Sequence, residues 1–512
     1  MSRHLRLIAC VAALALAGCA SLEPRPELPA AAASPAGGGT ILDDLLTGVE
    51  ARHPGESGFR LVREGPEAFA IRAASARLAG RSLDVQTYIW HADLTGGFLA
   101  QELLAAADRG VQVRLLVDDL DARAKNYGFA ALHAHPNVEV RMFNPLESRS
   151  GTVSFVLEAL GSAKRINRRM HNKTWIADNR IAIAGGRNLG DEYFGASEEV
   201  NFVDLDLAMV GPIVRDASAS FDRYWNSPLA YPMDVLAPDA VSPSALEELR
   251  RRIAPLVEQA RVSRYATELR GNDAIQRLAA GDWPMQWSTK FAFVADDPAK
   301  ASGQGEGLAG SQVLAVLAPT LKSSRSMVTI ISPYFVPGEA GTEALVDIAR
   351  SGSEVRILTN SLAANDVAAV YGGYSKWREP LLEGGVKLWE LKPTPGSTAK
   401  SSLFGSSGAS LHTKALAVDG RVTFVGSYNL DPRSTALNSE QGIFVESPVI
   451  TAQLEELFRT DSSGASAWAV TLHEGKLQWD DGTQTYERAP DASAGRKFQA
   501  WIARVLPVSS QL

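Results

Sequence analysis

Apolar residues cluster or alternate over Leu83–Trp90, Val111–Val117 and Val138–Phe143, short runs that predict strands. Between them apolar positions recur every three or four residues, over Leu99–Arg109 and near Ala122–Ala134, which predicts helices. The same order returns later in the chain. Strand-like runs at Met327–Phe335, Val355–Leu358 and Val386–Leu391 enclose helical stretches at Thr342–Arg350 and Asp366–Leu382. This is an internal duplication, and Tyr88 and Tyr334 fall in matching strands 246 residues apart. Strands alternating with helices imply parallel sheet covered by helices in each half. The expected fold is therefore α/β: two pseudo-symmetric lobes packed as one unit, with a site at their interface.

The ends carry different patterns. Arg3 and Arg6 precede an apolar run from Leu7 to Ala17, too short for a permanent membrane span, which reads as an export signal. Leu16-Ala17-Gly18-Cys19 resembles the lipobox of bacterial lipoproteins, in which the cysteine becomes the lipidated first residue. The expectation is a signal over residues 1–18 and a tether over 19–39, rich in Pro, Ala and Gly, that joins a Cys19 anchor to the body. The first lobe then covers 40–300 and the second 301–512. Pro243–Leu269 is a charged amphipathic stretch and Gly303–Gly310 a loop. Trp468–Trp479 is a hairpin about Glu474-Gly475, and Arg496–Val505 a closing helix.

Composition narrows the function classes. With 512 residues, 45% hydrophobic and 21% charged, the chain can build two cores without staples. Both cysteines, Cys10 and Cys19, lie at the N-terminus, so the body has no disulfide and no cysteine metal site. The formal net charge is −7, and loss of Arg3 and Arg6 with the signal makes the body more acidic still, a poor nonspecific binder of nucleic acid.

The candidate chemistry lies in two copies of one motif, His171-x-Lys173-x₄-Asp178 and His412-x-Lys414-x₄-Asp419, 241 residues apart. In an extended segment each histidine shares a face with its lysine. With only eight histidines in the chain, two copies at equivalent repeat positions argue against coincidence. Asp178 and Asp419 begin Asp-Asn and Asp-Gly turns, so they are candidate catalytic residues with an equally available reading as turn formers. Gly186 and Asn188 follow the first motif, Ser427 and Asn429 the second; small residues with an asparagine amide suit close approach of a phosphate, or a tight turn. Asp204 and Glu440 occupy comparable places and could hold a histidine in its required tautomer, or simply sit at the surface. Two histidines and two lysines supply nucleophile, acid and positive charge for phosphoryl transfer without a metal. His53, His91, His133, His135 and His473 fit no metal-ligand spacing. No cofactor is expected.

At these residues the chain resembles the phospholipase D superfamily, and more narrowly its bacterial cardiolipin synthase-like branch. The likeness extends through Gly55–Phe59, Ser82–Gln86, Arg109-Gly110-Val111, Asn167–Lys173, Gly185–Phe194, Asn360-Ser361-Leu362 and Leu506-Pro507-Val508. It implies a covalent phosphohistidine, metal independence and exchange or hydrolysis of phospholipid head groups, with His171 as nucleophile. The leading expectation is phosphatidyl transfer to an alcohol, cardiolipin forming when the alcohol is phosphatidylglycerol; hydrolysis to phosphatidic acid uses the same residues. A nuclease or an inactive membrane scaffold are the readings from other classes. The expected partners are membrane phospholipids, phosphatidylglycerol or phosphatidylethanolamine, and not nucleic acid. Lys164, Arg165, Arg168 and Arg169 form a basic cluster suited to anionic head groups or to solvent. Ala20, where an aspartate would signal inner-membrane retention, points to the outer membrane, facing the periplasm.

Overall fold

The computed structural model describes residues 24–122, 125–146, 166–303, 310–365, 367–393 and 411–505. Its frame is two sheets, one per lobe. The first contains β1 (Ser57–Val62), β2 (Ser82–Thr87), β3 (Gln112–Asp118), β4 (Val138–Phe143), β5 (Thr174–Ala177), β6 (Ile181–Gly185), β7 (Asp206–Val210), β8 (Ala230–Pro232) and β9 (Gln286–Ser288). They lie in the order β8-β4-β3-β2-β5-β6-β7-β1-β9. The second contains β10 (Phe291–Ala295), β11 (Met327–Ile331), β12 (Glu354–Asn360), β13 (Lys387–Leu391), β14 (Ala415–Val418), β15 (Val422–Gly426), β16 (Gln441–Glu446), β17 (Ala467–His473), β18 (Lys476–Asp480) and β19 (Thr485–Tyr486). Read from β17 towards β10, its order β17-β13-β12-β11-β14-β15-β16-β10 repeats that of β8 through β1. The duplication is thus a duplication of topology. The chain leaves the first sheet at Ser288 and enters the second at Phe291.

The sheets are mixed, which corrects the expectation of parallel sheet. Only β2-β3-β4 and β11-β12-β13 run parallel, joined by helices. The rest is antiparallel, because Asp178-Asn179 and Asp419-Gly420 turn each motif strand straight back into its neighbour. All four turn residues have positive φ, between 53° and 62°. β2, β5, β6 and β7 are buried along their whole length, as strands covered on both faces must be.

Other boundaries shift for local reasons. The helix expected at Leu99–Arg109 starts earlier, at Leu94, where the Asp93 carboxylate accepts from Gly96 N. The stretch at Asp366–Leu382 divides into Ala368–Ser375 and Arg378–Glu383. Pro243–Leu269 divides at Ser263, which ends one helix and caps the next. Gly303–Gly310 lies largely, and Leu506-Pro507-Val508 wholly, outside the described residues, as do Cys19, Lys164 and Arg165. Residues 24–39, read as part of a tether, lie hydrogen-bonded along the first lobe. Ala31 N donates to Asn226 Oδ1 at 2.9 Å, Ala33 N to Asp222 Oδ2 at 2.8 Å, and Asn179 Nδ2 to Ser34 O at 3.2 Å.

Each lobe has its own apolar cluster beneath its parallel strands. A third cluster belongs to both. It joins Leu116, Ile176, Leu207 and Phe221 of the first half to Ile331, Leu358, Ile443, Leu454 and Phe458 of the second. Each such side chain contributes about 1.5–3 kcal/mol when fully buried, so separating the lobes costs many of these terms at once. The halves therefore act as one body, and residues from both can hold fixed positions in one site. No described helix is long and apolar enough to cross a membrane.

Candidate active site

His171 and Lys173 stand just before β5, and His412 and Lys414 just before β14, in extended lead-ins and not in the strands themselves. Each lead-in crosses to the opposite lobe. His171 N donates to Ser439 O at 2.9 Å, and His412 N to Val203 O at 2.8 Å, next to the isolated parallel bridges Met170–Ser439 and Val203–Leu411. The backbone of each histidine is thereby pinned to the half that does not carry it.

The side chains repeat the exchange. His171 Nδ1 lies 2.9 Å from Glu440 Oε2 and 3.1 Å from Ser427 O; His412 Nδ1 lies 2.6 Å from Asp204 Oδ2. A carboxylate accepts, so Nδ1 carries the hydrogen in each ring, and Nε2 is the nitrogen left for chemistry. Both candidate orienting acids are fully buried and each serves the other lobe's histidine. Gly186 is needed for one of them: a Cβ there would come within 2.2 Å of Asp204 Oδ1.

Lys173 Nζ donates to His171 O at 2.7 Å and Lys414 Nζ to His412 O at 2.6 Å, so each ammonium is folded back beside its histidine. Burial pushes Lys173 well below the ordinary lysine value; Glu440 opposes this and Lys414 adds to it across the interface. Burial likewise takes His171 down to about 4, against the attraction of Glu440. It takes His412 down to about 3, with Lys414 in the same direction and Asp204 opposing. Burial alone would raise Asp204 and Glu440, but the facing histidines and lysines hold both carboxyls below the usual range. Two imidazoles, two lysine amines and two carboxylates thus share one buried site.

The remaining expected residues separate. Asp178 and Asp419 lie beyond the far ends of β5 and β14, where each carboxylate is held by backbone amides, the turn-forming reading of these two candidates. Asp178 accepts from Gly80 N, Arg81 N and Ser82 N. Asp419 accepts from Arg325 N, Ser326 N and Met327 N, bonds that hold its carboxyl far below the usual range. Asn188 is spent within its lobe: Nδ2 donates to Tyr193 Oη and Oδ1 accepts from Ile89 N. Asn429 differs, with its Oδ1 buried and without a hydrogen-bond partner among the described residues. Ser427 Oγ donates to Glu440 Oε2 at 2.5 Å and so supports the orienting acid. Arg169 is buried on Asp118, and Arg168 donates to Lys300 O and Ala436 O, which leaves neither as an open anion site.

Several residues of the site carry no motif signal. Phe202 stacks on His412 at 5.5 Å, Tyr193 meets its edge at 5.4 Å, and Tyr88 meets His171 at 5.1 Å. Gln441 Nε2 donates to Lys173 O at 2.6 Å, and Ser434 Oγ to Glu440 Oε1 at 3.0 Å. Of these, Tyr88 was traceable through its place in a repeated strand and Tyr193 through the Gly185–Phe194 stretch. Among the described residues His91, Asp93 and Glu192 bring ligand-type atoms within 4.8 Å of one another. His91 already pairs with Glu192 at 3.0 Å and Asp93 caps Gly96, so ordinary contacts account for the group.

The family described as "Cardiolipin synthase, PLD-like domain" matches residues 73–225 and 317–462, one stretch in each lobe. Cardiolipin synthase C of Escherichia coli is 40% identical, the match covering 89% of this chain and 96% of that protein. A cardiolipin synthase of Listeria monocytogenes is 25% identical over 81% of this chain and 71% of its own length. The crystal structure of a phosphatidylserine synthase from Haemophilus influenzae shares the fold, with TM-score 0.56 at 14% identity over 88% of this chain and 95% of the other. With a match in both lobes, a close relative over nearly its whole length and the same two-lobed architecture, the chain belongs to the phospholipase D-like family of cardiolipin synthases.

Proposed function

We propose that this protein transfers a phosphatidyl group from one phospholipid to an alcohol through a phosphohistidine at His171, making cardiolipin when the alcohol is phosphatidylglycerol. The observation that carries the reading is the crossed pairing of His171 with Glu440 and His412 with Asp204. It leaves two Nε2 atoms, differently supported, for one phosphorus. His171 Nε2 attacks phosphorus and the bond to the head-group oxygen breaks; imidazolium His412 gives its Nε2 proton to that oxygen. The substrate's phosphodiester charge favours the imidazolium that burial disfavours. After the head-group alcohol leaves, neutral His412 takes the proton of the acceptor hydroxyl, whose oxygen attacks phosphorus and releases His171. Lys173 and Lys414 face the charge on the non-bridging oxygens, and Asn429 Oδ1 is free to accept from a substrate hydroxyl.

Product analysis by mass spectrometry from liposomes of defined composition tests the proposal. With phosphatidylglycerol present the expected product is cardiolipin, with phosphatidylglycerol or phosphatidylethanolamine as donor. Phosphatidic acid alone would make the protein a hydrolase.

The same reading places the protein at a bacterial membrane through lipidated Cys19, facing the periplasm. Metabolic labelling with an alkyne palmitate should mark the wild type and not Cys19→Ser, and an unmarked wild type removes the anchor.

A further inference from the structure

The C-terminal helix Ala494–Val505 buries one face and leaves the other bare. Ala500 and Ala503 pack against the helix Ala368–Ser375, where a Cβ on Gly372 would come within 2.4 Å of Ala500 O. On the outer side Phe498, Trp501 and Val505 are 60%, 58% and 64% exposed. Spaced by three and four residues they form one stripe, and the Phe498 and Trp501 rings stack at 6.1 Å with 19° between planes. Nothing within the described chain covers them. Lys497 and Arg504 lie along one flank of the stripe, both exposed, and the helix contains no acidic residue although the whole chain is net −7. The helix Ile41–Glu50 offers the contrast. It also exposes two apolar side chains, Ile41 and Leu45, but it carries Asp43, Asp44 and Glu50 and no base.

We propose that the face Phe498-Trp501-Val505 docks the protein onto the surface of an anionic phospholipid bilayer. Aromatic and aliphatic side chains beside lysine and arginine are the pattern of a helix lying in the interface, its apolar side about 5–10 Å into the head-group and acyl boundary. The flanking cations complement an anionic lipid surface and would repel a second copy of the same face. The placement links docking to catalysis. Arg496 Nε donates to Leu362 O at 3.0 Å, on the loop that follows β12. Asn360, the last residue of β12, exchanges two hydrogen bonds with the backbone of Leu411, the neighbour of His412. The docking helix therefore stands on the segment that holds the second catalytic candidate. The inference rests on the reading above that the substrates are bilayer lipids, and it is independent of Cys19.

The test uses the full chain with Cys10→Ser, Cys19→Ser and a nitroxide on Trp501→Cys, so that one position reports and the lipid anchor is absent. In vesicles of phosphatidylethanolamine and phosphatidylglycerol the label should become accessible to oxygen and shielded from a water-soluble nickel relaxant. A label equally open to nickel with and without vesicles overturns the proposal, and so does spin–spin broadening that reveals a second copy on this face. In the Cys19→Ser chain, where no lipid anchor holds the protein on the vesicle, Phe498→Ser/Trp501→Ser/Val505→Ser should lower turnover on vesicles by roughly 10²-fold while turnover of monodisperse short-chain phosphatidylglycerol is unchanged. Lys497→Gln and Arg504→Gln should each lower binding to anionic vesicles about fivefold and leave zwitterionic vesicles unaffected. Vesicle turnover unchanged in the triple variant overturns the docking face. A wild type that turns over neither lipid form overturns the transferase reading instead, and the depth of the label then decides the docking face alone.

Discussion

The first lobe lends Asp204 to His412 and the second lends Glu440 to His171, yet the two borrowed carboxylates are not in equal circumstances. Glu440 divides its charge among His171, Ser427 Oγ and Ser434 Oγ. Asp204 accepts from His412 and from Leu205 N, at a place kept open by Gly186. The rings differ as well. His412 is stacked on by Phe202 and met at its edge by Tyr193, whereas Tyr88 meets the edge of His171. Burial takes both imidazoles well below the ordinary histidine value, with Glu440 opposing it at His171 and Lys414 adding to it at His412. The proposed division of roles, His171 for the covalent step and His412 for proton transfer, can be tested against these different settings.

The sharpest way to break this comparison is to remove each ring. His171→Ala should abolish trapping of labelled phosphatidyl groups. His412→Ala should lose roughly 10²–10⁴-fold in turnover, and much of its first half-reaction should return with a leaving group of low pKa. Label accumulating on His412 in the His171→Ala protein would reverse the order. The crossed carboxylates come next. Glu440→Gln and Asp204→Asn should each lower turnover, by roughly 10²-fold or more, by releasing the ring tautomer. Only the Asp204→Asn loss should depend on the leaving group; equal dependence in both variants would mean that the lobes do not divide the roles.

A weaker effect concerns pH and stability. Both histidines have folded values below the unfolded value of about 6.5, so the unfolded chain binds their protons first. Their contribution is present above about pH 6.5 and is lost as pH falls towards about 4 for His171 and about 3 for His412. Denaturant midpoints measured from pH 7 to 4 should fall with acid, less steeply in His171→Gln and His412→Gln. An unaltered slope in both variants would mean that the rings are not buried neutral. The smallest effect on activity is expected at the turns. Asp178→Ala or Asp419→Ala strands backbone donors and should cost about 1–3 kcal/mol of stability, with turnover per folded molecule near wild type. A large loss of turnover at undiminished stability would return these residues to the chemistry.

The repeated pattern made much of the fold legible. Strands at Leu83–Trp90 and Met327–Phe335 mark β2 and β11, and the turns after Asp178 and Asp419 mark the hairpins that follow the motifs. Helix ends were less legible, because Asp93 and Ser263 act through caps that apolar spacing does not register. Residues 24–39 looked like a tether because they lack periodicity, but their backbone amides find Asn226 and Asp222 on the first lobe, partners nearly 200 residues away.

By itself the sequence determined that there are two equivalent halves and that each brings one histidine and one lysine on one side of an extended segment, since duplication and alternation are local properties. It also restricted the orienting acids to candidates such as Asp204 and Glu440. Which acid serves which histidine was decided only by tertiary structure, because the shared apolar cluster brings the two sheets together so that each lead-in pairs with the opposite lobe. The same packing decided the fate of the motif aspartates. One strand length separates them from the histidines, and at that distance a carboxylate bonds the backbone amides beside it and not a substrate at the other end.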